Sequence, residues 1–322
     1  MFTQLPVAPL SPSLDFAGQT VLITGANTGL GYSTALLYLQ HGASTVIIGV
    51  RTTSKGEAAK AKFLSDKVVS ARINAPNIVV WELDMASEKS VVAFANRVKS
   101  TYPVLHIAIL NAGGFPFKGY GTSKETGRET TVQVNYVSTV LLGILLLPLL
   151  KSTSRNIGAP TNLTFTGSEV ARGPRIVVPN GQSILNSLNN PKKFSPNVRY
   201  GESKLLLAAF VKAFAPYVDS SEVIVNNLCP GAVATDLGRD APWYLQPLFP
   251  IFLALMAART PDVGARLIVR AGCAGKETHG LLLANHTKFS VPFIEGADGE
   301  RFIERLRVET LSVLKEVTDL GL

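Results

Sequence analysis

The chain has 322 residues, of which 46% are hydrophobic and 17% charged, with a formal net charge of +8. That length and apolar content suit a large α/β core, and the dispersed Lys and Arg residues, without a basic run or interleaved aromatics, argue against a nucleic-acid surface. Two cysteines, Cys229 and Cys273, and four scattered histidines make neither a disulfide framework nor a metal-ligand spacing, so no metal is expected.

In chain order, the opening stretch "MFTQLPVAPLSPSLDFAGQ" lacks the basic and apolar regions of a secretory leader, which predicts a cytoplasmic protein. "TVLITG" (20–25) reads as a buried strand, "GLGYSTALLYLQHG" (29–42) as a helix and "STVIIGV" (44–50) as the next strand. Further strands are predicted at 77–84, 104–111, 161–167 and 222–230, with helical patterns around 54–70, 87–100, 125–150 and 200–217. Continuous apolar strands joined by helices predict a parallel sheet covered on both faces. The expected fold is a single-domain, Rossmann-type doubly wound α/β sheet of about seven strands, spanning 1–322, with its ligand site outside the C-terminal strand ends. The apolar runs at 137–150 and 243–258 are shorter than the roughly 20 residues that span a bilayer. The first reads as a buried helix. Segment 171–199, rich in Pro, Asn and Ser, reads as a surface loop bordering the substrate entrance.

The chemistry-bearing residues fall at the predicted strand ends. "TGANTGLG" (24–31) joins the first strand to the first helix, and Gly25, Gly29 and Gly31 allow a tight turn against a pyrophosphate at the helix N-terminus. The second strand ends in Arg51, with Lys55 one turn on and no carboxylate nearby, which favours a 2′-phosphate and hence NADP(H) over NAD(H). Asp84 follows the third strand, where it either takes an adenine amino group or caps the next helix. "LNAGG" (110–114) follows the fourth, its small residues suited to a close cofactor. Asn135 lies in a helical pattern, Ser168 just past the fifth strand, and "CPGAVAT" (229–235) after the sixth. In "VRYGESKLLL" (198–207), Tyr200 and Lys204 stand one helical turn apart and share a face. A cation beside a phenol stabilises phenolate and makes it an acid/base near neutral pH.

Together, T-G-A-N-T-G-L-G, Asn111-Ala112-Gly113, Asn135, Ser168, Y-G-E-S-K (200–204) and P-G-A-V-A-T (230–235) resemble the short-chain dehydrogenase/reductase family over roughly residues 16–290. "ITGANTGLG" and "RTPDVGA" are most similar to the retinol-dehydrogenase-like branch and its fungal relatives, several of which act in natural-product pathways. The resemblance implies a catalytic tetrad. Tyr200 is the general acid, with its pKa moved by Lys204 from about 10 towards 7. Lys204 also holds the ribose hydroxyls, Ser168 binds the substrate oxygen, and Asn135 holds a relay water. A one-residue slip would put Thr166 in the place of Ser168. The resemblance implies cofactor contacts from Gly25, Asn27, Thr28, Gly29, Leu30, Gly31, Arg51, Lys55, Asp84, Asn111, Ala112, Gly113, Tyr200, Lys204, Pro230, Gly231, Val233 and Thr235. Of these, Val233 and Thr235 bind the carboxamide, and Asp84 with the Asn111 backbone lines the adenosine pocket.

After Thr235, a variable lid (about 236–260) carries Trp243, Tyr244 and Phe249. It reads as a pocket wall for an apolar, fairly large carbonyl or alcohol substrate, as ordinary core or dimer packing, or as a patch resting on a membrane surface. The helices at 125–150 and 200–217 could form a homodimer interface or be buried within the chain. The leading expectation is an NADP(H)-dependent ketone reductase or alcohol dehydrogenase, with a same-fold isomerase or lyase and a non-catalytic cofactor-binding regulator as alternatives.

Overall fold

A computed structural model describes residues 4–235, 246–248, 253–285 and 287–320. The strands are β1 (Thr20–Thr24), β2 (Thr45–Val50), β3 (Asn77–Glu82), β4 (Ile107–Leu110), β5 (Thr161–Thr166), β6 (Val223–Cys229), β7 (Leu282–Ala284) and β8 (Thr287–Lys288). They form one sheet in the order β3-β2-β1-β4-β5-β6-β7-β8. The neighbours from β3 to β7 pair in parallel, and β8 closes the edge antiparallel to β7. The reversal of strand order between β1 and β4 is the topological switch at which such sheets open a ligand crevice. The doubly wound sheet expected from the apolar runs is present, with β7 and the short β8 added at the edge.

Both sheet faces are covered, which is why the strands read as unbroken apolar runs. Helices α1 (Gly29–Gln40) and α2 (Thr53–Ser65) and the short α3 (Lys67–Ser70) lie with the later α8 (Pro261–Gly272) on one side. Their core includes Tyr38, Leu39, Phe63 and Leu267, and the N-terminal residues Val7, Leu10 and Phe16 join it. The predicted helix at 54–70 is split at Asp66, whose carboxylate caps α3 through Val68 N and Val69 N.

The other face holds α4 (Glu88–Thr101), α5 (Thr130–Ile157), α7 (Pro196–Phe214) and the terminal α9 (Gly296–Lys315). Helix α5 is longer than the 125–150 pattern suggested and is long and apolar enough to cross a membrane, but 89% of its apolar window is buried in the protein. It reads as a core helix. The faces of α5 and α7 considered for a dimer interface are covered within the chain. Tyr136 Oη shares a 2.5 Å hydrogen bond with Thr310 Oγ1 of α9, and Ile303, Leu306 and Leu314 of α9 join the core of Phe210 and Phe214.

Segment 171–199 is largely exposed and irregular, as its composition suggests, but it is pinned to the body of the protein. Ile176, Ile184, Leu185 and Leu188 are buried, Ile184–Ser187 forms a helical turn (α6), and Pro196 already belongs to α7. Its anchor is Arg199, 2% exposed, which pairs with the fully buried Glu129 at 3.4 Å and with Glu202 at 2.9 Å. The same guanidinium donates to the Leu188 carbonyl.

Candidate active site

The β1–α1 turn is built for close approach. Gly25 and Gly29 have φ of +69° and +56°, the left-handed region that only glycine enters without strain. At Gly31 a Cβ would run into the Gly25 carbonyl and the Asn111 side chain. Thr28 precedes α1 without a side-chain cap, and the first turn carries no acidic residue. The first N–H groups of α1 therefore keep donors for an anion. Asn27, Thr28, Gly29 and Leu30 are only partly covered, as an approachable turn requires.

Arg51 follows β2 directly, and Lys55 lies in the first turn of α2. Both are exposed, and among the described residues neither is engaged in an ion pair. Asp84 lies two residues beyond the end of β3. Its Oδ1 accepts from Ala86 N at 2.9 Å, while Ser87, not Asp84, caps α4. At the β4 end, Thr24 Oγ1 accepts from Asn111 N (3.0 Å) and Ala112 N (2.8 Å). The Asn111 N–H is thus engaged in knitting β1 to β4, and the Asn111 carbonyl is not part of that contact.

The four candidate catalytic residues converge at the β4 and β5 ends. Asn135 sits in a π-helical turn, Gln133–Val137, within α5, a local widening that recurs at functional sites. Its side chain clamps Gly114, accepting from the backbone N and donating to the carbonyl at 2.9 Å each, and donates to Ser203 Oγ of α7. A Cβ on Gly113 would lie 3.1 Å from Asn135 Oδ1 and 3.7 Å from Lys204 Nζ, so this glycine keeps the wall of the site thin. Lys204, 5% exposed, donates to the Thr166 carbonyl at 2.9 Å. Ser168 is near enough to Tyr200 to draw its pKa down against the effect of burial. The Thr166 side chain is buried and finds no partner among the described residues.

The electrostatics differ from the expected proximity effect. Burial pushes Tyr200 up to about 12, the buried Cys229 adds to the rise, and Ser168 opposes it. Burial also brings Lys204 down to about 8. The ammonium lies 5.8 Å from the tyrosine ring centroid and gives one of its three donors to Thr166, and burial rather than this cation sets the direction of the phenol's shift. Both groups are held towards their uncharged forms by desolvation.

The β6 end closes the crevice. Pro230 is buried, Gly231 has φ +82°, and Val233 pairs with Arg259 in an isolated parallel bridge. Gly264 of α8 leaves room for Val233 and Leu30 to meet: a Cβ there would lie 2.8 Å from each side chain. The glycine turn and the 230–235 loop are thus brought side by side. Trp243, Tyr244, Phe249 and most of the predicted lid lie outside the described residues.

Two contributors escaped the sequence reading. Phe115 lies 5.4 Å, centroid to centroid, from Tyr200 and 4.5 Å from Phe117, which puts an aromatic pair beside the tetrad. The only signal was two phenylalanines following "AGG". Cys229 Sγ accepts from Glu169 N at 3.2 Å and Gly231 N at 3.4 Å, tying the β5 and β6 ends together. Nothing local marks a cysteine for that task.

A family model described as short chain dehydrogenase matches residues 19–178. Among curated proteins, a short chain dehydrogenase of Arthrobotrys oligospora is 38% identical over 97% of this chain and 98% of its own length. The short-chain dehydrogenase/reductase ffsI of Aspergillus flavipes is 38% identical over 96% of this chain and 89% of its own. Among solved structures, the Pseudomonas aeruginosa RhlG/NADP active-site complex aligns with a TM-score of 0.63 at 22% identity, covering 86% of this chain and 98% of that one. A 3-ketoacyl-(acyl-carrier-protein) reductase from Brucella melitensis complexed with NADH aligns at 0.61 and 19% identity, covering 84% and 98%. At these identities the structural likeness concerns the fold.

Proposed function

This chain belongs to the short-chain dehydrogenase family, and from that premise we propose that it is an NADP(H)-dependent ketone reductase or alcohol dehydrogenase for an apolar, fairly large substrate, with a place in secondary metabolism. The observation that carries the reading is the convergence of Asn135, Ser168, Tyr200 and Lys204 beside the glycine-built crevice. The residues fit a dinucleotide. Gly25, Gly29 and Gly31 with the uncapped start of α1 hold the pyrophosphate. Arg51 and Lys55, exposed and without an ion pair among the described residues, take the 2′-phosphate. Lys204 takes the ribose hydroxyls, and Val233 and Thr235 take the carboxamide. The bound nicotinamide supplies or accepts the hydride.

The chain's own residues handle the proton and the oxygen. Ser168 hydrogen-bonds the substrate oxygen and the charge that develops on it. Tyr200 delivers its proton to that oxygen in reduction. The Phe115–Phe117 pair beside Tyr200 offers an apolar wall, which supports an apolar substrate. Solved relatives in complex with NADP and with NADH are both known, so the preference for NADP(H) rests on Arg51 and Lys55.

The test is consumption of NADPH and NADH against a panel of apolar ketones, with Tyr200→Phe and Arg51→Glu. Removing the proton donor should lower turnover by about 10²–10⁴-fold. Arg51→Glu should erase the preference for NADPH without abolishing activity with NADH. Binding of NADPH with no substrate-dependent loss across the panel would overturn the reductase reading.

A further inference from the structure

The N-terminal arm reaches the candidate nicotinamide end of the crevice. Gln4 Nε2 donates to Ala232 O and to Ala257 O, both at 2.8 Å, and its Oε1 accepts from Ala232 N at 3.0 Å. One side chain therefore grips the loop after β6 from both sides of a single peptide position and ties it to the returning segment at Ala257. The two segments are also zipped by backbone bonds, Arg259 N to Ala232 O at 2.9 Å and Ala234 N to Arg259 O at 2.8 Å.

Arg259 completes the arrangement. It is 7% exposed, and its guanidinium donates to Pro230 O and Leu5 O at 2.8 Å each and to Asn285 Oδ1. The rest of the arm is registered on α8, where Arg266 donates to Val7 O and Arg270 to Ala8 O and Pro9 O. Gly231 explains itself in this setting. Gln4 Oε1 and Arg259 Nη1 occupy the space a Cβ would take, and φ is already +82°. A buried cation whose donors are spent on carbonyl oxygens of two loops fixes their relative position, because each unmade bond would leave a buried polar group unpaired.

We propose that residues Gln4–Pro9 form a clasp on the 230–235 loop, and that Gln4 is a positioning residue for the nicotinamide half of the cofactor. The inference rests on the proposed NADP(H) reading, in which Val233 and Thr235 hold the carboxamide. Among the described residues the hydrogen bonds of the Gln4 side chain go to Ala232 and Ala257, so it acts through Ala232. Loosening Ala232 lets the neighbouring Val233–Thr235 backbone drift, while Arg51, at the end of β2 and separated from β6 by three strands, keeps its place. The arm thus bears on one half of the cofactor only.

That asymmetry gives the experiment. Wild type, Gln4→Ala and Gln4→Glu are titrated with NADPH and, separately, with 2′,5′-ADP, which carries the adenosine half and no nicotinamide. Thermal melting checks that each variant is folded. Gln4→Glu keeps the shape and loses both donors, placing a carboxylate against the Ala232 and Ala257 carbonyls, so it should be at least as damaging as Gln4→Ala. The expected result is an NADPH dissociation constant raised about tenfold in both variants with the 2′,5′-ADP constant unchanged. An NADPH constant within about twofold of wild type, or equal weakening of both ligands, overturns the clasp. A wild-type chain that binds neither ligand overturns the cofactor reading, and the role of the clasp falls with it.

Discussion

Lys204 is the group whose titration bears most directly on the site. It is buried in α7 with one hydrogen bond, to the Thr166 carbonyl, and burial lowers its pKa from 10.5 to about 8. At about 1.4 kcal/mol per pKa unit, that environment disfavours the ammonium by roughly 3 kcal/mol relative to water. The folded pKa lies below the unfolded one, so the unfolded chain binds more protons between about pH 8 and 10.5. The penalty is full below pH 8 and fades as pH rises through that window. A nucleotide whose ribose hydroxyls accept from the ammonium favours its protonated form, so binding and protonation are linked. The NADPH dissociation constant is expected to be flat below about pH 8 and to rise above it by up to about tenfold per pH unit. Calorimetry in two buffers of different ionisation enthalpy should show uptake of about half a proton per NADPH near pH 8. Lys204→Met should show neither the rise nor the uptake. A flat wild-type constant up to about pH 9.5, or the same rise in Lys204→Met, would refute the assignment of that titration to Lys204.

Two further outcomes follow from packing. A Cβ on Gly167 would collide with the Asn227 carboxamide, which is buried beneath it. Gly167→Ser should therefore impair turnover through the adjacent Ser168, and adding Asn227→Ala should restore at least part of it; equal loss in single and double variants, measured as kcat, would contradict the steric account. Arg199→Met strands Glu129, which is fully buried, and should destabilise the fold by about 3–5 kcal/mol. Arg199→Met with Glu129→Gln should recover part of that loss in urea unfolding, and no recovery would show that the charge on Glu129 is not the cause.

The parts of the molecule legible in the sequence are those in which cause and effect lie within a few residues. Strands β1, β2 and β4 were legible because a parallel strand buried on both faces favours an unbroken apolar run, whereas β5 (TNLTFT) buries threonines and an asparagine. The glycine turn was legible because positive φ at Gly25 and Gly29 needs glycine at the position itself. Tyr200 and Lys204 share a face because helical periodicity puts them there. Interactions across long sequence separations left no such mark. Segment 171–199 has the composition of a loop, and the contacts that pin it span long separations: Arg199 pairs with Glu129, seventy residues apart (199 − 129), and Glu309 accepts from Ser183 Oγ and the Ile184 and Leu185 N–H groups. The shift of the Tyr200 phenol has the same character. Spacing puts the lysine nearby, but burial, with Cys229 adding an electrostatic contribution, raises the phenol, and burial is a property of the whole fold. Gln4 is the extreme case: an unremarkable residue near one end of the chain meets Ala232 and Ala257, and its importance exists only once the sheet has brought the three together. Short motifs therefore locate the chemistry, while the groups that hold the motifs in position come from any part of the chain and become visible only in three dimensions.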